Sequence, residues 1–144
     1  MICKLVEKGL TYYDPSKETA LITDWSKIGI GLVLKQKHCN CKGDLNPLCC
    51  TDGWKLVFCG SRSLLSEESN YAPIEGEGLA VVWALKKARL FLLGSPKFTI
   101  FVDHNPLVKI FGNKSLTDID NPRLLRQKEK VLSYNFDIRY TSKA

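Results

Sequence analysis

A chain of 144 residues is long enough for one domain with a sizeable core, and its 44% hydrophobic and 25% charged residues are typical of globular proteins. No apolar run approaches the roughly 20 residues that cross a bilayer, and no apolar signal core opens the chain, so we expect an intracellular protein (cytoplasm or nucleus) with no membrane partner. The net charge of +6 suits a polyanion such as nucleic acid, although many proteins without such a partner are equally basic.

The first half of the chain predicts strands. Residues 1–19 are interpreted as a lead-in, and the domain itself is expected over 20–144. Runs of β-branched, small and apolar residues predict three strands, at 20–24, 29–36 and 54–60. The intervening residues 37–53 contain Cys, Asn, Gly and Pro and predict a long hairpin insertion.

The second half predicts helices and two further strands. Pro73 suits a first helical turn, and apolar residues recur at helical spacing as far as Leu92, which predicts one amphipathic helix over 73–93 that ends at Gly94. The remaining predicted elements are a strand at 97–102, a short helix at 105–112, a helix from 121 to about 133 and a strand at 136–140. This order predicts an α/β fold with a mixed five-stranded sheet, three antiparallel strands plus parallel ones, and flanking helices. The first strand is central, and the fourth lies parallel beside it.

Three carboxylates fall where such a sheet would bring them together. Asp24 and Asp103 end apolar strands, and Glu77 lies in the first turns of the helix that crosses the sheet. Gly76 and Gly78 let another part of the backbone approach this turn closely, at a cost in helix propensity. Each carboxylate also has a structural interpretation, since Glu77 suits a helix N-terminus and Asp24 could cap a turn. A cluster of all three would attract a divalent cation.

Four segments in order carry a family resemblance. They are TDWSKIGIG at 23–31, GSRSL at 60–64, NYAPIEGEGLAVVWAL at 70–85 and DHNPL at 103–107. Together they resemble the ribonuclease H domain of Ty3/gypsy-type LTR-retrotransposon polyproteins, from about residue 5 to the end of the chain. The Cys-containing insertion followed by Asp52-Gly53-Trp54 resembles an insertion in animal members of that family.

The resemblance implies a ribonuclease H-like fold that cleaves the RNA strand of an RNA/DNA hybrid with two Mg²⁺ or Mn²⁺ ions, next to the polymerase domain of the same reverse transcriptase polyprotein. It implies that Asp24 bridges both ions, while Glu77 and Asp103 complete the shell of the second. Glu75 is the alternative to Glu77, which we prefer because it directly precedes the Gly78-Leu79-Ala80 segment. Hard carboxylate oxygens suit either cation.

One expected ligand has no match in the sequence. The family carries a fourth carboxylate, an aspartate in a helix after the last strand, whereas this sequence ends at Ala144, close to where that helix should begin. We therefore expect the C-terminal helix to be absent, and Asp118 and Asp120 lie in a different segment. Two functional classes remain. One is a catalytic domain, in which the activity of this chain on its own depends on that ligand. The other is a non-catalytic nucleic-acid-binding or structural module. The three carboxylates favour the first.

Basic side chains form two groups along the predicted helices: Lys86, Lys87 and Arg89 in one, and Arg123, Arg126, Lys128 and Lys130 in the other. They form either solvated helix faces or contacts to phosphates, which would position a duplex without reading its sequence. The 2′-hydroxyls in the minor groove would distinguish the RNA strand. His104 is either structural or in contact with substrate, since strand neighbours point to opposite faces.

The cysteines suggest a second type of metal site. Four lie in the predicted insertion, at Cys39, Cys41, Cys49 and Cys50, with His38 as a possible substitute. In a reducing compartment such a group indicates zinc before disulfides, although the spacing fits no standard zinc pattern and free thiols are the alternative. The other two cysteines of the chain are isolated.

Overall fold

A mixed five-stranded sheet forms the centre of the computed structural model, which describes residues 12–39, 53–94 and 98–141. In chain order its strands are β1 (Thr19–Trp25), β2 (Gly29–Lys37), β3 (Trp54–Ser63), β4 (Phe98–Val102) and β5 (Phe136–Tyr140). They are arranged in space as β3-β2-β1-β4-β5, so β1 is the central strand, as the sequence predicts.

The strand pairings are antiparallel on one side of β1 and parallel on the other. β1, β2 and β3 form an antiparallel meander, and β4 runs parallel to both β1 and β5. In the parallel pair, Ala20 lies opposite Thr99 and Ile22 lies opposite Phe101. The predicted α/β fold is confirmed, and the carboxyl ends of β1 and β4 meet at one edge of the sheet.

Within the described ranges, four α-helices flank the sheet: α1 (Pro73–Lys87), α2 (Arg89–Leu92), α3 (Asn105–Gly112) and α4 (Pro122–Val131). α1 packs across β1 and β2 and also contacts α4. α4 begins as predicted, because the Asn121 side chain accepts hydrogen bonds from the first backbone N–H groups of the helix, those of Arg123 and Leu124.

The main core lies between α1 and the sheet. Leu21, Leu34 and Ile100 from the strands meet Val81 and Leu85 from α1, and none of the five is more than 1% exposed. Complete burial of a Val, Leu or Ile side chain contributes about 1.5–3 kcal/mol. The apolar stripe predicted for α1 is therefore what holds this helix against the sheet.

The single helix predicted over 73–93 is wrong in one respect, because it is divided at Ala88 (φ −93°, ψ 16°). The short α2 that follows carries Phe91, whose ring centroid lies 5.3 Å from that of Tyr13 and 5.9 Å from that of Phe58. These partners come from distant parts of the chain, so the break in the helix could not be predicted from the helical periodicity of the local sequence. The predicted end at Gly94 is confirmed by its positive φ of 83°.

β3 is longer than the predicted 54–60, because it continues to Ser63 and pairs there with Gly29. The apolar pattern ends at Gly60, but backbone pairing with β2 carries the polar residues onward. Two short 3₁₀ helices, Glu68–Asn70 and Leu116–Asp118, were not predicted. α4 ends at Val131, slightly before the predicted end.

The end of the predicted lead-in packs against the domain. Asp14 donates its backbone N–H to Gln36 Oε1 and accepts from Gln36 Nε2, both at 2.8 Å, which satisfies a completely buried amide. Residues 1–11 lie outside the described part of the chain. Among the described residues, no helix is both long and apolar enough to cross a membrane.

Candidate active site

The parallel pairing of β1 with β4 places two carboxylates side by side. The register aligns Ile22 with Phe101, and two residues further on it brings Asp24 to the position beside Asp103. Asp24 is exposed and Asp103 is half-buried at the strand ends. A charge at the end of a strand keeps contact with water and avoids the full penalty of burial.

The third carboxylate comes from α1. Glu77 lies in the first turns of this helix and is 7% exposed. One ligand atom from each of Asp24, Glu77 and Asp103 can be chosen so that all three lie within 4.8 Å of one another. The structure therefore brings together the three predicted residues, and their hard oxygen atoms fit a Mg²⁺ or Mn²⁺ ion.

Both glycines beside Glu77 are in close contact with other elements. A Cβ atom at Gly76 would lie 2.1 Å from the ring of Trp25, and one at Gly78 would lie 2.1 Å from Gln127 Oε1. The sequence predicted a close approach of backbone at these glycines, whereas the structure places side chains there, those of Trp25 and Gln127.

Glu75, the alternative to Glu77, is engaged elsewhere. Its carboxylate accepts hydrogen bonds from the Ala72 backbone N–H at 3.1 Å, from Asn121 at 3.0 Å and from Arg123 at 3.3 Å. Burial acts to raise the pKa of Glu75, but these hydrogen bonds and the Arg123 charge together hold that pKa below its usual value. The guanidinium of Arg123 also lies 4.0 Å above the Tyr71 ring. The preference for Glu77 over Glu75 agrees with this geometry.

An open groove of about 480 Å³ adjoins Asp24. Its lining includes the hydroxyl-bearing Ser61 and the guanidinium of Arg62 from β3. Arg62 forms two hydrogen bonds to Glu68, at 2.8 and 2.9 Å, which lower the pKa of that carboxyl. Both residues belong to the GSRSL segment that carries the family resemblance, but they lie beyond the apolar pattern of the predicted strand and were not predicted as site residues.

Six of the seven basic residues in the two predicted groups occupy two regions at opposite ends of the paired helices α1 and α4. Lys86, Arg89 and Lys130 line a groove of about 290 Å³ at the C-terminal ends, and the exposed Lys87 is adjacent in sequence. Arg123 and Arg126 line another groove, which also contains Glu75, at the N-terminal ends. The second region is nearer to the carboxylate cluster.

Lys128, the remaining member of the predicted basic groups, does not belong to either surface. It is 6% exposed, and its Nζ donates to the carbonyl oxygens of Phe111 at 2.9 Å and Gly112 at 3.3 Å. Burial lowers its pKa. Its position at the C-terminal end of α3 suits a cation that satisfies helix carbonyls. Neither of the two alternatives stated for the basic groups, a solvated helix face or a phosphate contact, applies to this buried lysine.

His104 and the cysteines remain largely untested. His104 precedes α3 and is half-buried, and its Nε2 has no hydrogen-bond partner within the described ranges. Cys39 is half-buried at the end of a described range, whereas Cys41, Cys49 and Cys50 lie outside the described residues. The zinc site stays a prediction.

Comparison with known proteins settles the family. The family described as the RNase H-like domain found in reverse transcriptase matches residues 14–134. The chain belongs to this family. It is 34% identical over 125 residues to the Retrovirus-related Pol polyprotein from transposon opus, and 35% identical over 131 residues to that from transposon gypsy, both of Drosophila melanogaster. These alignments cover 87% and 91% of this chain but 11% of each relative, so the chain spans about a tenth of the curated relatives it matches.

Solved structures show the same fold. The foamy viral protease-reverse transcriptase in complex with RNA/DNA hybrid matches with a TM-score of 0.66 at 14% identity, over 94% of this chain and 17% of that one. RNase H1 from Halobacterium salinarum matches with a TM-score of 0.55 at 17% identity, over 88% of this chain and 86% of that one. This RNase H-like domain of a retrotransposon Pol polyprotein therefore shares its fold with RNase H1.

Proposed function

We propose that this domain hydrolyses the RNA strand of RNA/DNA hybrids with the help of two divalent cations, Mg²⁺ or Mn²⁺. The observation that carries the proposal is the meeting of Asp24, Glu77 and Asp103 within 4.8 Å at the edge of an RNase H-like sheet. Each of the three comes from a different element, and the fold has to form before they meet. Family membership and the foamy viral neighbour, whose structure contains an RNA/DNA hybrid, support the choice of substrate.

The three carboxylates would hold the ions, with Asp24 best placed to contact both because it lies on the central strand and is exposed. Bound cations of this kind activate an attacking water and stabilise the leaving oxygen of an in-line displacement. Glu77 is buried and Asp103 is half-buried, whereas Asp24 is exposed, so the cluster is open to solvent at Asp24. A scissile phosphate could approach from that side.

The basic residues would position the duplex. Arg126 is exposed near the carboxylate cluster, whereas Arg123 is already paired with Glu75, so Arg126 is the better phosphate contact. Lys86, Lys87, Arg89 and Lys130 would contact the backbone farther along. Such contacts fix the position of the duplex and carry no sequence information. We also propose that the polymerase domain of the same polyprotein is the neighbour of this domain in the complete protein.

A labelled RNA/DNA hybrid incubated with the domain and Mg²⁺ or Mn²⁺ tests the proposal. We expect the wild-type domain to cleave the RNA strand and Asp24→Asn to lose this activity. The matched variant Asp118→Asn changes an exposed aspartate that is hydrogen-bonded to Ser115, and it should keep wild-type activity. Cleavage that survives Asp24→Asn would disprove the site.

The second functional class gives a different result in the same experiment. A non-catalytic module would bind the hybrid without cleaving it, and its affinity would fall steeply with salt as counterions are released. Repeating the assay with a chain extended by the next segment of its natural polyprotein tests whether a further ligand is needed. Binding without cleavage in that longer chain would contradict the enzymatic proposal.

A further inference from the structure

The residue after one candidate ligand lies against the residue before another. Trp25 directly follows Asp24, and its indole ring lies on Gly76, which directly precedes Glu77. A Cβ atom at position 76 would lie 2.1 Å from Cε2, 2.3 Å from Cδ2 and 2.5 Å from Nε1 of the ring. These distances are far shorter than any real Cβ contact, so only glycine allows the ring to rest on the helix backbone. The contact joins the end of β1 to the first turns of α1.

Gln127 of α4 holds the same turn from another side. Its Nε2 donates to the backbone carbonyl of Glu75 at 3.1 Å, and its Oε1 occupies the space that a Cβ atom at Gly78 would need. Gln127 is only 7% exposed. Glu77 therefore lies between two glycines, each covered by a side chain from a different element.

The two contacts explain a local sequence that is otherwise unfavourable. Each glycine inside a helix costs about 1 kcal/mol relative to alanine. The carboxylates also repel one another when no cation is bound, which favours movement of the helix turn away from the strand ends. A clamp on both sides of Glu77 opposes that movement and keeps the oxygens at ligand distance.

We propose that Trp25 and Gln127 are positioning residues, which hold Glu77 within metal-binding distance of Asp24 and Asp103. The inference rests on the proposed function, because it assumes that the carboxylate cluster binds divalent cations. Removal of groups that orient a metal ligand without touching the metal typically weakens metal binding by about 10–100-fold.

Calorimetric titration of the metal-free domain with Mg²⁺ or Mn²⁺ tests the clamp without reference to catalysis. We expect Gly76→Ala, which must displace the indole, to weaken binding by about tenfold or more. Gln127→Ala removes a contact without adding a clash, so it should fold and still bind several times more weakly. Gly112→Ala is the matched control, because its Cβ would meet Ile138 at an ordinary 3.5 Å, and it should bind like the wild type.

A double variant separates positioning from general damage. The clash in Gly76→Ala requires the indole, so Gly76→Ala combined with Trp25→Ala should bind metal no more weakly than Trp25→Ala alone. Melting temperatures in EDTA, measured on every variant, show whether affinity is lost in a folded protein. Wild-type affinity in both Gly76→Ala and Gln127→Ala would overturn the inference and leave the proposed function intact. Failure of the wild-type domain to bind either cation would overturn both.

Discussion

Replacing Glu77 with glutamine should stabilise the metal-free domain. Two unit charges 4.8 Å apart repel by about 3.5 kcal/mol at an effective dielectric constant of about 20, and by about 1 kcal/mol in bulk water. Asp24 is exposed and Asp103 is half-buried, whereas Glu77 is 7% exposed, so each repulsion is at least as large as its value in water. Glu77→Gln removes two such repulsions and should stabilise the domain by about 2 kcal/mol or more. For a domain of this size a gain of about 2 kcal/mol raises the melting temperature by about 4–8 °C.

Glu75→Gln, two residues away, is the matched control and should have the opposite effect. It removes the ion pair with Arg123 and places an amide N–H₂ beside the amide of Asn121, so a half-buried group loses its partners. The loss of such bonds costs about 1–3 kcal/mol. The two variants have the same chemistry and nearly the same position, but their melting temperatures in EDTA should move in opposite directions.

Thermal unfolding followed by circular dichroism, first in EDTA and then in Mg²⁺, is the assay. The wild-type domain and Glu75→Gln should both be stabilised by the cation, because ligands that bind only the folded state raise stability by mass action. Glu77→Gln should gain little. A lower melting temperature of Glu77→Gln in EDTA, or an undiminished gain from Mg²⁺, would refute the view that Glu77 is part of a repulsive, metal-binding cluster.

Three further predictions concern stability. The pKa of Glu68 is lowered, so its contribution to stability is present above the ordinary pKa of 4.5 and is lost as the pH falls below that value. In urea unfolding, the free energy of unfolding of Glu68→Gln should therefore fall less in acid than that of the wild type. The exposed control Glu67→Gln should behave like the wild type. Burial lowers the pKa of Lys128, so the unfolded chain binds the proton of this lysine more readily than the folded one. The free energy of unfolding should therefore rise as the pH increases towards the ordinary lysine pKa of 10.5. Urea unfolding of Lys128→Met should lack that rise. Gly94→Ala should lower the free energy of unfolding by about 1 kcal/mol because φ is +83°, whereas Gly112→Ala should be neutral or slightly stabilising, and equal effects would contradict the conformational argument.

Much of the fold was predictable because local patterns and sheet topology agree. The apolar stripe of α1 is the face that packs on the sheet, and the run before Asp103 forms a buried strand as its β-branched residues indicate. Once β1 is central and β4 is parallel to it, Asp24 and Asp103 must meet at one edge. The carboxylate cluster was therefore accessible to sequence reasoning.

What the sequence did not reveal depends on contacts between distant segments. The break at Ala88 serves the contacts that Phe91 makes with two other rings. Lys128 has the same charge as the exposed Arg126 and Lys130 of its helix, and only its contact with the end of α3 distinguishes it. The glycines beside Glu77 indicated a close approach, but the partners, Trp25 and Gln127, follow from how β1 and α4 pack against α1. Such facts are properties of the assembled fold.

The position of β1 between β2 and β4 also has a kinetic consequence. Its antiparallel partner follows directly in the chain, whereas its parallel partner comes from the other half of the chain. Pairings between distant segments form slowly, because the loop-closure entropy is lost before the contacts can compensate for it. Asp24 should therefore be in place with the early hairpin and meet Asp103 only when β4 docks. In a refolding experiment, the capacity to bind Mg²⁺ should appear with the slowest phase of sheet formation.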